Sequence, residues 1–243
     1  MFSAEQLSNM LFLDIETVTS HKDLQTMQAE APALAYHWPA KANLIRKGKP
    51  EIMHLNDAEV YQSEAPLYTE FSKTVCVSIG QLILNEDGSS QFKSKSFYGH
   101  DEAQIIEDLF KAFWALFRKN PSIKLVGHNI KGFDMPFLLR KAVKYGLAIP
   151  HQLHLHTVKP WDSCLLDTSE IWKFGSWTGA PLGLLCTALD IPTPKDEMYG
   201  SEVNDAYWAD RLDEIVIYCE KDVRATANVM LKFAGLPLTD YAL

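Results

Sequence analysis

The segment MLFLDIETV, Met10 to Val18, restricts the fold more than any other part of the chain. Leu11, Phe12, Leu13, Ile15 and Val18 are apolar and neither Gly nor Pro interrupts them, so the segment predicts a buried strand. Asp14 and Glu16 sit inside it, and the segment holds no Lys or Arg. Alternate residues of a strand share one face, so the two carboxylates project together, roughly 7 Å apart along the chain. Buried carboxylates are costly unless they are paired or bound to metal. Something outside the strand must hold two negative charges on one face of the core.

The 243 residues, 47% of them hydrophobic, suffice to bury a sizeable core, in one large domain or two small ones. The net charge of −8 provides no global basic field. That argues against a high-affinity, sequence-specific DNA binder and leaves room for an enzyme that grips phosphates through metals and a few local cations. Cys76, Cys164, Cys186 and Cys219 form no C-x-x-C pair and lie in apolar surroundings. They read as free core thiols of a reducing compartment, so a cytoplasmic location is expected. A basic region followed by an apolar run is missing at the N-terminus, so no signal peptide is expected, and no apolar run approaches a membrane span.

Strand signals appear at 10–18, at 74–84 and near 93–98. A helix follows Asp101 as its cap, with a stripe of Ile105, Ile106, Leu109, Phe110, Phe113, Leu116 and Phe117, and stops at Asn120-Pro121. SIKLVGHN predicts a short strand, FDMPFLLRKAVKYG a helix with Pro136 in its first turn and Gly146 as its stop, and WDSCLLDT one more strand. Short helices are expected at 169–174 and 181–189, and a long one over Trp208 to Phe233. Strands that come first and alternate with helices later imply α/β structure, a mixed sheet covered by helices. Residues 20–73 are too long for a bare connection and are expected to be an insertion with helical structure of its own.

A further acid, Asp134, follows the IKLVGHN strand at the start of a helix, with Asn129 five residues earlier. Taken alone, Asp134 suits a helix cap and Asn129 a turn. Another, Asp222, stands four residues after Tyr218 on the last helix, and the pair shares a face bordered by Ile215 and Cys219. Taken alone, this is an ordinary surface Asp beside a half-buried Tyr. The ordered set of D-x-E on a strand, N-x3-F-D entering a helix and Y-x3-D on the C-terminal helix is what two-metal phosphodiester hydrolysis wants. Mg²⁺ binds a few carboxylates plus water and phosphate oxygen, and two such ions clamp the attacking and leaving oxygens of an in-line displacement.

The motifs FLDIET, GHNIKGFD and YCEKD resemble those of the DEDD exonucleases, in the subgroup with Tyr in the third motif. The resemblance extends to the stand-alone predicted 3′–5′ exonucleases related to the proofreading domain of family B DNA polymerases, and it covers nearly the whole chain. KPWDSCLLDTSEIWKFG and IPTPKDEMYGSEV look like segments of that group too. The resemblance implies a ribonuclease H-like fold with helices on both faces of the sheet, and one exonuclease domain over 1–243. It implies two divalent cations, Mg²⁺ or Mn²⁺, with Asp14 bridging them, Glu16 and Asp222 completing one shell, Asp134 serving the other, and Tyr218 positioning the nucleophilic water. Where the group often has an acid, this chain has Met198-Tyr199.

The expected activity is removal of nucleotides from the 3′ end of nucleic acid, single-stranded DNA first. Rivals are an exoribonuclease on short RNA, a catalytically silent nucleic-acid-binding module, and a proofreading subunit working in trans with a polymerase or repair partner. Thr17, Asn129, Phe133, Lys195 and Ser201 are candidates to line the substrate groove, with Asp196 and Gly200 beside them. Phe133, Trp172 and Trp177 are candidates to stack on bases, and core packing is the alternative for each. The basic segment with Lys41, Arg46, Lys47 and Lys49 reads as a solvated face or as a local grip on the strand being degraded. His151, His154 and His156 lie close enough for a zinc site, against a loop reading that needs no metal.

Overall fold

The computed structural model describes residues 2–85, 89–159, 162–192 and 198–239. In chain order the elements are α1 (Ala4–Ser8), β1 (Met10–Thr19), α2 (Leu24–Glu30), α3 (Pro32–Ala35), α4 (Trp38–Gly48), α5 (Asp57–Glu64), β2 (Ser72–Leu84), β3 (Ser90–Tyr98), α6 (Glu102–Lys119), β4 (Lys124–Gly127), α7 (Asp134–Lys144), β5 (Leu165–Asp167), α8 (Thr168–Lys173), α9 (Leu182–Ala188), α10 (Val203–Trp208) and α11 (Leu212–Ala234). The strands form one mixed sheet in the order β3-β2-β1-β4-β5. β1 pairs antiparallel with β2 and parallel with β4, which places the acid-bearing strand at the centre. Among the described residues, no helix is long and apolar enough to cross a membrane.

The pleat of β1 sorts its side chains. Leu11, Leu13 and Ile15 pack with Ile106, Leu109 and Phe113 of α6 and with Met135 and Leu138 of α7. Met10 and Phe12 turn the other way, onto Val223, Ala227 and Met230 of α11. Asp14 and Glu16 share the parity of Phe12 and so belong to the α11 face. Glu16 stands opposite Cys76 and Thr17 opposite Thr74, so Val75 is an extra residue on β2 and the sheet bends just past the acids.

Helices α6 and α7 are bolted to β2 by a buried polar cluster. Lys141, 1% exposed, reaches Glu102 at 3.0 Å and donates to the Ser72 carbonyl at 2.5 Å. Glu102 also accepts the Thr74 N–H at 2.6 Å and the Tyr145 hydroxyl at 2.5 Å. Burial alone would raise the Glu102 carboxyl, and Lys141 with these donors pulls it below its ordinary range instead. Asp101 caps α6 through the Gln104 N–H, as its sequence implies.

One expectation is corrected and another is narrowed. The last helix does not start at Trp208: Asp210 adopts a left-handed φ of +61°, the Arg211 N–H donates back to Ala206, and a new helix begins at Leu212. Trp208 belongs to α10 and donates its indole N–H to Thr19 Oγ1 at 2.8 Å. The basic segment is partly engaged with the fold. It lies on α4 and its C-cap, where Arg46 pairs with Asp57, Lys49 with Glu64 at 2.6 Å, and Lys41 sits 3.8 Å over the Tyr68 ring, while Lys47 is exposed. These contacts brace the helical stretch α2–α5 around Trp38, Tyr61 and Phe71, whose rings meet edge to face. Trp172 is likewise a packing residue, stacked on Phe233.

Two substitutions test this architecture. A Cβ on Gly80 would stand 2.2 Å from Phe92 Cζ, so Gly80→Ala must displace the ring that packs on Phe12. A loss of about 1–3 kcal/mol is expected in chemical denaturation, and an unchanged midpoint would refute the contact. Lys141→Met strands the buried Glu102 carboxylate and is expected to cost about 3–5 kcal/mol in the same assay. A neutral effect would mean that the Glu102–Lys141 pair does not brace the two helices.

Candidate active site

Four acids converge at the carboxyl end of β1. Asp14 and Glu16 point from the strand toward α11, where Asp222 is one turn beyond Tyr218 and Cys219. Asp134 comes from the first turn of α7 and accepts the Ile15 N–H, which ties it directly to β1. It is not the cap: Phe133 holds that position without a side-chain cap bond. The crossing of β4 behind β1 is close. A Cβ on Gly127 would lie 2.9 Å from the Leu13 carbonyl oxygen and 2.8 Å from Ile130 Cβ, so only glycine fits there.

The charges act on one another. Burial raises the Asp14 carboxyl well above its ordinary range, and Asp134, Glu16 and Asp222 add to the rise, while the Cys219 thiol opposes it. Glu16, 8% exposed, is raised by burial, by Asp222, by Cys76 and by Asp134. Asp134, 3% exposed, is pushed up to about 7 by burial and by Asp167, against the pull of its own N–H and that of Ile15. Tyr218 is half-buried, and its hydroxyl donates to Asp222. Burial and the charges of Asp222, Glu16 and Asp14 raise its pKa, so it stays protonated at any physiological pH. The hydroxyl oxygen lies 3.7 Å from where a Cβ of Gly200 would be, so the Gly200–Glu202 turn roofs this side.

Sequence reasoning missed a fifth acid. Asp167, 3% exposed at the end of β5, accepts N–H bonds from Asn129 at 2.9 Å, Lys131 at 3.2 Å and Ser169 at 2.9 Å. It clamps the loop that delivers Asp134, including Asn129 in a left-handed φ of +64°. The Asp-x-x-Glu pattern of Asp167 and Glu170 announces a helix cap, and nothing in it announces a partner 38 residues away. His128 completes the clamp. Its Nε2 donates to the Ala180 carbonyl at 2.8 Å, which leaves Nδ1 to accept from Thr168 Oγ1 at 3.0 Å. Burial lowers its pKa, so the ring is neutral.

The substrate candidates scatter around this centre. Asn129 is exposed, and Phe133 leans on Phe137 with ring centroids 5.7 Å apart. Thr17 is buried and its hydroxyl donates to the Pro66 carbonyl at 2.7 Å. Ser201 is exposed on the turn that roofs Tyr218. Lys195 and Asp196 lie outside the described residues. Trp177 is 91% exposed on the loop that Ala180 ties to His128. The rings of His154 and His156 stack at 6.1 Å. Among the described residues, three His, Cys, Asp or Glu ligand atoms lie mutually within 4.8 Å at Asp14, Glu16 and Cys219, and the histidines form no such group of three.

The donor set fits divalent cations. Carboxylate oxygens are hard ligands, and a cation among them offsets the burial that raises Asp14, Glu16 and Asp134 and relieves the repulsion that adds to it at Asp14 and Glu16.

No curated protein matches the chain. Among solved structures, the family B DNA polymerase from the hyperthermophilic archaeon Pyrobaculum calidifontis shares the fold, with a TM-score of 0.50 at 16% identity over 93% of this chain. The chain spans 24% of the polymerase's length. The mixed α/β, ribonuclease H-like fold expected from sequence is thus the one present. A family model described as "Predicted 3'-5' exonuclease related to the exonuclease domain of PolB" matches residues 67–237. The chain belongs to this family of predicted 3′–5′ exonucleases related to the exonuclease domain of PolB.

Proposed function

We propose that the chain is a single metal-dependent 3′–5′ exonuclease domain that removes nucleotides from single-stranded DNA. The observation that carries the proposal is the convergence of Asp14, Glu16, Asp134 and Asp222 on one spot beside a protonated Tyr218. Divalent ions, Mg²⁺ or Mn²⁺, would supply Lewis-acid stabilisation of the scissile phosphate and a lowered pKa for the attacking water. Asp14, Glu16 and Asp222 would hold one ion, and Asp14 with Asp134 would hold the other. Tyr218 is hydrogen-bonded to Asp222, so its hydroxyl oxygen has a fixed direction and can accept from the nucleophilic water. Asp167 and His128 hold the Asn129–Phe133 loop, which presents Asn129 and Phe133 to the terminal nucleotide.

The rim supports a single strand as substrate. Trp177 and Phe174 are 91% and 68% exposed on the loop tethered beside Asn129, and aromatic faces accept any base. Ser201 is proposed as a contact from the opposite, α10 side, and Lys195 is proposed as a further substrate contact from its sequence. Incubating purified protein with end-labelled DNA and RNA of one sequence, with Mg²⁺, Mn²⁺ or chelator, tests the whole reading. A ladder shortening from the 3′ end of DNA only in the presence of metal is expected. A faster ladder on RNA would transfer the proposal to an exoribonuclease, and uncut substrate in every metal would sink it.

Tyr218→Phe keeps the ring against Ile215 and Cys219 and removes only the hydroxyl. Single-turnover cleavage is expected to slow by roughly 10²-fold, with residual activity that rises with pH as hydroxide replaces the oriented water. Asp222→Asn should show no such rescue, because it removes a ligand. Wild-type rates in Tyr218→Phe would make Tyr218 a packing residue.

Metal-free stability should fall as pH rises. Asp14, Glu16 and Asp134 have folded pKa values above the roughly 4 of unfolded carboxylates, so the folded state binds more protons in the window between. That contribution is complete below the unfolded pKa and is lost as pH climbs through about 7, the value of Asp134. Neutral, buried His128 gives the opposite slope only below about pH 6.5. Melting in chelator from pH 6.5 to 8 should therefore show a falling Tm, and Mn²⁺ should abolish the fall. A metal-free Tm that rises over this range contradicts the crowded-acid site.

A further inference from the structure

Cys219 stands where the acidic site meets the core. Its sulfur lies 3.6 Å from Asp14 Oδ2 and 3.5 Å from the Asp14 carbonyl oxygen. Asp14, Glu16 and Cys219 each offer one ligand atom, and the three atoms all lie within 4.8 Å of one another. Behind Cys219, a hydrogen bond joins it to Cys76, the residue opposite Glu16 across the sheet. Both thiols are completely buried. The oxygen-lined site therefore has a sulfur floor, and the nuclease reading uses no part of it.

Soft and hard ions respond differently to such a floor. Mg²⁺ selects oxygen, whereas zinc and its heavier relatives bind thiolate and carboxylate together. A tetrahedral zinc shell has metal–sulfur and metal–oxygen bonds of about 2.3 and 2.0–2.2 Å, which puts adjacent S and O ligands ~3.6 Å apart. Cys219 Sγ and Asp14 Oδ2 already have that separation, 3.6 Å. An octahedral shell, with right angles, would draw the same two atoms to ~3.1 Å.

We propose that Asp14, Glu16 and Cys219 form a capture site for a thiophilic divalent cation of the zinc and cadmium class. As the ion binds, the Cys219 S–H bond breaks, its proton passes to solvent, and a sulfur lone pair forms the metal–sulfur bond. Asp14 and Glu16 each donate an oxygen lone pair. One proton is released per thiolate formed, and no oxidation state changes. Cys76 stays as a thiol and can turn its S–H toward the new thiolate. An ion so held occupies Asp14 and excludes the oxygen-bound ions from it, so the site also predicts inhibition by soft metals. The proposal does not depend on the nuclease reading.

The test uses the full chain, reduced and stripped with chelator, without Mg²⁺ or nucleic acid. Cd²⁺ is titrated in while the ultraviolet thiolate-to-metal charge-transfer band is recorded. The wild type is expected to develop the band and saturate at one equivalent. Cys219→Ser should abolish it, and Cys164→Ser, just before β5 beside the Gln152 carbonyl, should keep it. Asp14→Asn should weaken Cd²⁺ binding by at least about tenfold. No band in wild type, or a full band in folded Cys219→Ser, overturns the proposal. If Cys219→Ser does not fold, unchanged Cd²⁺ affinity in Asp14→Asn overturns it instead. A protein that shows the band and never cleaves nucleic acid refutes the nuclease reading alone, and one that cleaves without the band refutes the capture site alone.

Discussion

Asp14 lies within electrostatic reach of Asp134, Glu16 and Asp222, and each of those charges makes its ionisation harder. Burial removes the water that would screen them. Such a group is held together only by a scaffold stiffer than the repulsion it contains. β1 supplies part of that stiffness, because it is hydrogen-bonded on both edges, to β2 and β4. Asp167 supplies another part by drawing three backbone N–H groups onto one carboxylate. Lys141 supplies a third, locking α7 to the rim of β2 on the side away from the acids.

The same strand serves two purposes through its pleat. Odd positions of β1 build the core with α6 and α7, and even positions pass from core residues at Met10 and Phe12 to acids at Asp14 and Glu16. The change happens within one face, so the acids inherit the rigidity of the apolar contacts beneath them. Helix α11 repeats the pattern. Its lower turns pack Val223, Ala227 and Met230 on the sheet, and its upper turn carries Tyr218 and Asp222. A site with apolar packing on its floor keeps its geometry whether or not cations are bound.

What the sequence disclosed was local. The period-2 run of β1, the stripe and Asp101 cap of α6, and the Gly146 stop of α7 all depend on residues within a few positions of each other. The acids were visible because three spaced motifs fell in order. What stayed hidden was long-range. Asp167 looks like a cap for α8, and only the parallel β4–β5 pairing brings the 129–131 loop onto its other lone pairs. Arg46 and Lys49 look like solvated charges until α5 folds back and offers Asp57 and Glu64. Cys219 looks like one more core thiol, since nothing local reveals that its neighbour is an acid 205 residues earlier. The break at Asp210 was missed because the apolar period of α11 runs up to a residue that packs elsewhere.

That 205-residue separation between Asp14 and Cys219 has a consequence for the time course of synthesis. Strand β1 leaves the ribosome well before α11, which completes the acid set. Contacts so distant in sequence are slow to form, because a long loop must close before they reward it. Until α11 docks, a growing chain has its β1 acids open to water and far from Asp222. The proposed acid set is therefore incomplete in any nascent chain until α11 has docked on β1.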